Sequence, residues 1–252
     1  MTSVERVMAI TKLEPEPGYK KISVRPQQWP TNGEIKFNGV SLRYYAQGPK
    51  VLDNINLDID GQSKIGIVGR TGAGKSSIVT ALMRMPEAEG DITIDGVRLN
   101  DLNLQDSRRC ISVVSQDPVI FSGTVRENLD PLGKQNDADL WDVLEIVQLK
   151  QLVETFQGKL SYTLTNNGRN LSVGEKQLLC LARVLLQRSK IVILDEPAAH
   201  IDPKTEQIMQ KTIRDKLVNS TLITISHRLE TIEHCEKIVV LRDGQLADEY
   251  EQ

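Results

Sequence analysis

The sequence predicts an α/β fold with a mainly parallel sheet core and an inserted helical subdomain. Short apolar runs of the kind that form buried strands recur at KIGIVG (64–69), IVILDE (191–196), TLITIS (221–226) and KIVVL (237–241). Helical stretches such as PKTEQIMQKTIRDKL (203–217) separate the later runs, and strands alternating with helices imply a parallel sheet. From about 117 to 189 the periodicity is helical instead of strand-like, which marks the insertion.

Residues 1–33 differ from everything after them. Pro15, Pro17, Pro26 and Pro30 fall there, four of the ten prolines, with Lys, Glu and Gln between them. That density predicts an extended linker. From Glu34 the segments EIKFNGVSLRYY and VLDNINLDI alternate as strands do. In the middle, LWDVLEIVQL places Leu140, Val143, Leu144 and Val147 on one stripe, and VGEKQLLCLARVLL continues the same period. Asp202 before Pro203 is a helix start, an N-cap followed by proline at the first position.

Composition narrows the possible classes. At 252 residues with 39% hydrophobic and 26% charged side chains, the chain is long enough to bury a core without disulfides or a structural metal. Thirty-one Lys and Arg against 34 Asp and Glu leave a formal charge of -3, which gives no electrostatic case for a nucleic-acid partner. Cys110, Cys180 and Cys235 are an odd number with no C-x-x-C pair, against a disulfide framework or a zinc site and in favour of a reducing, cytosolic setting. The most apolar stretch, LLCLARVLL (178–186), is about half a bilayer span and carries Arg183. The first residues have Glu5, Glu14 and Glu16 and no apolar core, unlike a secretory or transit peptide.

GRTGAGKS (69–76) fits the phosphate-loop pattern G-x-x-x-x-G-K-[ST] and follows a strand, as its mechanism requires. The candidate nucleotide-binding residues are Gly69, Thr71, Gly72, Ala73, Gly74, Lys75, Ser76 and Ser77. Glycines let backbone N–H groups curl around phosphate oxygens, the next helix presents its positive end, Lys75 reaches the β- and γ-phosphates, and the Ser76 hydroxyl ligates Mg²⁺. Such a loop needs a carboxylate strand, and IVIL ending in Asp195 and Glu196 supplies it. Asp195 is expected to hold Mg²⁺ through water and Glu196 to polarise the attacking water.

Between these elements, LSVGEKQ (171–177) heads a helix. Here the sequence resembles the ATP-binding cassette (ABC) ATPases, whose signature LSGGQ opens a helix in an inserted subdomain. Ser172 with Glu175 also reads as a capping box, and both readings are compatible. The resemblance implies a P-loop NTPase of the ABC ATPase type, with an N-terminal antiparallel β part. It implies that Ser172 and Gly174 contact the γ-phosphate of an ATP held by a partner domain. It further implies that Gln116 in VVSQDP is the Q-loop residue touching Mg²⁺, that His227 in TISHR is the switch histidine, and that residues 198–202, including Asp202, form the D-loop. Tyr44 resembles the aromatic residue that stacks on adenine, with Tyr45 as the alternative.

SVERV before a proline-rich stretch, IFSGTVRENLDP and LSVG look like the second, C-terminal nucleotide-binding domain of subfamily C, the multidrug-resistance-associated proteins and the cystic fibrosis transmembrane conductance regulator. On that resemblance, residues 1–33 are the linker from a transmembrane domain and 34–252 the nucleotide-binding domain, on the cytosolic face of a membrane. ATP and Mg²⁺ are its cofactors; a second nucleotide-binding domain, in cis or in trans, and transmembrane domains are its partners. Glu175 replaces the signature glutamine, while Pro197 and His200 lie closer to the conductance regulator and LSVG closer to the pumps. An organic-anion or drug exporter is the expected parent. A gated channel, a soluble DNA-repair or translation ATPase, and a truncated nucleotide-binding product are the alternatives.

Overall fold

The structure, a computed structural model, describes residues 3–22, 25–165, 168–197, 201–228 and 231–251. In chain order the strands are β1 (Ile35–Leu42), β2 (Leu52–Ile59), β3 (Lys64–Gly69), β4 (Glu89–Ile94), β5 (Val97–Arg98), β6 (Ile111–Val114), β7 (Gly123–Thr124), β8 (Thr163–Leu164), β9 (Ile191–Asp195), β10 (Thr221–Ile225), β11 (Lys237–Arg242) and β12 (Gln245–Glu251). The α-helices are α1 (Ser3–Thr11), α2 (Lys75–Leu82), α3 (Leu104–Arg109), α4 (Val125–Leu129), α5 (Asp137–Ile146), α6 (Lys150–Thr155), α7 (Val173–Gln187) and α8 (Pro203–Lys216).

The central sheet has the order β12-β11-β3-β10-β9-β6, parallel except for the antiparallel edge strand β12. An antiparallel sheet, β2-β1-β4-β5, lies N-terminal to the insertion. Strand alternation explains how the central sheet is buried on both faces. Ile191, Ile193, Ile223 and Ile225 belong to one core, shared with α2 and the antiparallel sheet. Val192, Leu194 and Leu222 point the other way, into a core shared with α5, α7 and α8. The expected stripe of Leu140, Val143, Leu144 and Val147 is buried in that second core.

Register positions the functional edge. Ile225 of β10 is level with Ile67 of β3 and Asp195 of β9, so the chain leaves these three neighbouring strands at one edge of the sheet. In open α/β sheets that edge, the carboxyl ends of the strands, is where ligands bind.

Two segments depart from the expected course. The proline-rich N-terminus is not simply extended: α1 is helical with no buried residue, and residues 16–21 lie on the domain. Asn103 Nδ2 donates to the carbonyls of Tyr19 and Lys21 at 2.9 and 2.8 Å. Arg108 grips both oxygens of Glu16 at 2.8 and 2.7 Å. Trp29 is buried, its Nε1 donating to the Ile94 carbonyl at 2.9 Å. Prolines limit local backbone pairing, so this segment finds its partners across the domain surface. The inserted subdomain also contains a short ladder, β7 with β8, within a stretch expected to be helical throughout.

Candidate functional site

The phosphate loop begins where β3 ends. Gly74 lies in the left-handed region at φ +101°, and a Cβ there would sit 3.0 Å from the Val51 carbonyl, so the turn admits only glycine without strain. No side chain caps the start of α2, which leaves its positive end available to an anion. Lys75 is buried, and its Nζ donates to the carbonyls of Gly69 and Arg70 at 3.0 and 3.1 Å. The loop therefore curls around an ammonium, with Thr71 and Gly72 exposed at its tip and Ala73 buried beneath.

The carboxylate strand delivers its two acids differently. Asp195 Oδ1 accepts a hydrogen bond from the Ser76 hydroxyl at 3.2 Å. Burial pushes the Asp195 carboxyl above the ordinary range, and the Glu196 charge adds to this; the Ser76 hydrogen bond and the Lys75 charge act in the opposite direction. A hydroxyl beside a single carboxylate is an all-oxygen donor set. That suits Mg²⁺, which keeps waters and substrate phosphates as its remaining ligands. Among the described residues no cluster of three or more His, Cys, Asp or Glu could hold a metal without such help.

Glu196 takes a left-handed backbone at φ 49°, uncommon for a non-glycine residue. Its N–H donates to the Ile225 carbonyl at 2.9 Å, which pins the turn to β10. Its Oε1 lies 3.2 Å from His227 Nδ1, and His227 follows β10 by two residues. The structure thus brings together Lys75, Ser76, Asp195, Glu196 and His227 from three neighbouring strand ends. Backbone strain of this kind collects at functional sites.

The remaining candidates surround this centre. The Tyr44 hydroxyl meets Ser77 Oγ at 3.0 Å, whereas the Tyr45 ring packs on Gly48, where an added Cβ would lie 2.9 Å from it. Tyr44 is therefore the aromatic held against the first turn of α2, which follows the phosphate loop. Gln116 is exposed just past β6, whose Val114 pairs with Leu194 beside Asp195. Ser172 caps α7 with the expected box, accepting from the Glu175 N–H at 3.2 Å while Glu175 Oε2 accepts from the Ser172 N–H at 2.7 Å. Among the described residues no hydrogen bond joins Ser172 or Gly174 to the phosphate loop. Asp202 caps α8 through the N–H groups of Lys204 and Thr205. Ala198, Ala199 and His200 lie outside the described residues.

One residue at the site was not anticipated. Gln177 is fully buried, and its Nε2 donates to the carbonyls of Ser115 and Gln116 at 3.1 and 2.8 Å, bracing the segment that carries Gln116 from α7. An amide in the apolar stripe of α7 was the signal that could have found it.

A phosphate loop and an acidic strand end on one edge of a parallel sheet, with a helical insert between them, define a nucleotide-binding domain of the P-loop class. The ABC transporter family model matches residues 52–199, more than half of the chain, and the chain belongs to that family. It is 45% identical over 248 residues to ATP-binding cassette sub-family C member 4 of Homo sapiens, covering 98% of this chain and 19% of that protein. It is likewise 45% identical over 251 residues to Metal resistance protein YCF1 of Saccharomyces cerevisiae, covering 98% of this chain and 17% of that protein. The chain thus spans about a fifth or less of these relatives. A bacterial Atm1-family ABC exporter with ATP bound superimposes with a TM-score of 0.88 at 27% identity, over 98% of this chain and 43% of that one. The fold is that of an ABC ATPase, and ATP hydrolysis is the general activity of the domain. Among the described residues no helix is long and apolar enough to cross a membrane.

Proposed function

We propose that this chain binds and hydrolyses MgATP as one half of a head-to-tail pair of nucleotide-binding domains that powers an ABC exporter of organic anions or drugs. The pairing of Glu196 with His227 at 3.2 Å, one residue from the Ser76–Asp195 contact, is the observation that carries the reading. The solved exporter of the same fold and the sub-family C relative of Homo sapiens support its transport side. The partners would be a second nucleotide-binding domain and transmembrane domains, with this chain on the cytosolic face of their membrane.

In this reading the uncapped α2 terminus and Lys75 hold the phosphates, and the Tyr44 ring supports the adenine. Ser76, Asp195 and Gln116 hold Mg²⁺, which neutralises phosphate charge when bound. Glu196 accepts the proton of the attacking water, and His227 orients that carboxylate and the terminal phosphate. Ser172 and Gly174 face the ATP of the partner, with Asp202 at the same interface. Hydrolysis releases the two halves and moves the attached helices.

Glu196→Gln tests the assignment, since it keeps the side chain's size and removes its basicity. Turnover by the paired domains should fall by about 100-fold or more while ATP binding persists. Unchanged turnover would remove Glu196 from the chemistry.

A further inference from the structure

Gly174 lies in the first turn of α7 with a right-handed backbone, so its conformation does not require glycine. Its neighbour does. A Cβ added at Gly174 would lie 2.8 Å from Thr205 Cγ2, 3.1 Å from Thr205 Oγ1 and 3.2 Å from Thr205 Cβ. Thr205 stands in the first turn of α8 and has little freedom to yield. Its Oγ1 donates to Asp202 Oδ2 at 2.6 Å, and Asp202 Oδ1 accepts the N–H groups of Lys204 and Thr205 at 3.1 and 3.0 Å. A β-branched side chain held in this way keeps a single rotamer, with its methyl group against α7.

The next residue of the same turn reaches another loop. Glu206 pairs with Arg228 at 3.1 Å, and the Arg228 N–H donates to Ser226 Oγ at 3.0 Å, so this contact flanks His227 on both sides. One helical turn therefore touches the segment carrying Ser172 and the segment carrying His227.

We infer that the first turn of α8 is a mechanical link between the signature turn and the histidine loop, with Thr205 as the positioning residue for Gly174 and Glu206 as the positioning residue for Arg228. On the functional reading above, Ser172 serves the partner's ATP and His227 the chain's own. The link then carries the state of one ATP site to the other. It also assigns Gly174 an intramolecular purpose, separate from leaving space for a phosphate.

Amide hydrogen exchange on the full chain, without nucleotide or partner, tests the link independently of pairing. In Gly174→Ala the new methyl pushes on Thr205, and exchange should quicken about tenfold at 202–206 and 226–228 as well as at 172–176. Adding Thr205→Ser removes the opposing methyl, keeps the bond to Asp202, and should return most of that change in all three segments. Thr205→Val keeps the shape, deletes the hydroxyl, and should quicken exchange at 172–176 even if the alanine variant folds poorly. Faster exchange confined to 172–176 in Gly174→Ala, or no reversal by Thr205→Ser, would overturn the link. Loss of ATP-driven pairing with these exchange results intact would instead count against the functional reading alone.

Discussion

Lys75 is buried with its ammonium on two carbonyls of its own loop, so it braces that loop, and on the proposed function it also supplies a charge for phosphate. Lys75→Ala should weaken ATP binding by about 100-fold or more, as calorimetry on the purified chain would measure; undiminished binding would remove the phosphate-loop argument. Tyr44→Phe keeps the ring but loses the contact with Ser77, and a loss of affinity of about three- to tenfold is expected in the same titration. Residues 69–76 were legible in the sequence because their function lies in local spacing. Gln177, Thr205 and Glu206 were not, because each acts through a partner far away in the chain, on Gln116, Gly174 and Arg228. Cys110 and Cys235 fit the disulfide-free reading: both are free, and burial pushes each thiol up to about 12.

At the scale of elements, Asp95 ties the β4–β5 turn to the chain entering β1. Burial alone would raise its pKa, but the N–H groups of Gly33, Glu34, Asn32 and Thr31 outweigh that and hold the carboxyl below the ordinary range. A depressed native pKa means that this contribution is whole at neutral pH, and is lost as pH falls below about 4 and through the native value. Asp95→Ala should lower stability at neutral pH by about 2–4 kcal/mol in denaturant unfolding, and the gap from the wild type should narrow on acidification. A gap that widened in acid would contradict the assignment. Four strands of the central sheet, β3, β9, β10 and β11, were readable as apolar runs bounded by turn signals, and the second core as a stripe of period 3.6; the short β6 and the polar, exposed edge strand β12 carry no such run and were not read. The docking of residues 16–21 and Trp29 was not, because proline density reports what a segment avoids locally and not which surface it finds.

For the whole molecule, the two cores share one sheet, with the phosphate loop on the side of α2 and the signature on the helical side. This division separates the edge that carries the phosphate loop and Asp195 from the helix terminus proposed to serve a partner. The α/β class, the parallel core and the insertion followed from periodicity. The pairing of half-sites rests on family resemblance, since the partner's contribution leaves no pattern in one chain.

ATP turnover by mixed variants tests that pairing most directly. Lys75→Ala keeps an intact signature with a failed phosphate loop, and Ser172→Arg keeps an intact phosphate loop with a failed signature. At concentrations where two copies pair, each variant alone should be nearly inactive. Their mixture should recover turnover that rises more steeply than linearly with protein concentration, because one complete site forms across the pair. A mixture no more active than its components, beside a wild-type chain whose turnover per molecule is high and independent of concentration, would contradict the account.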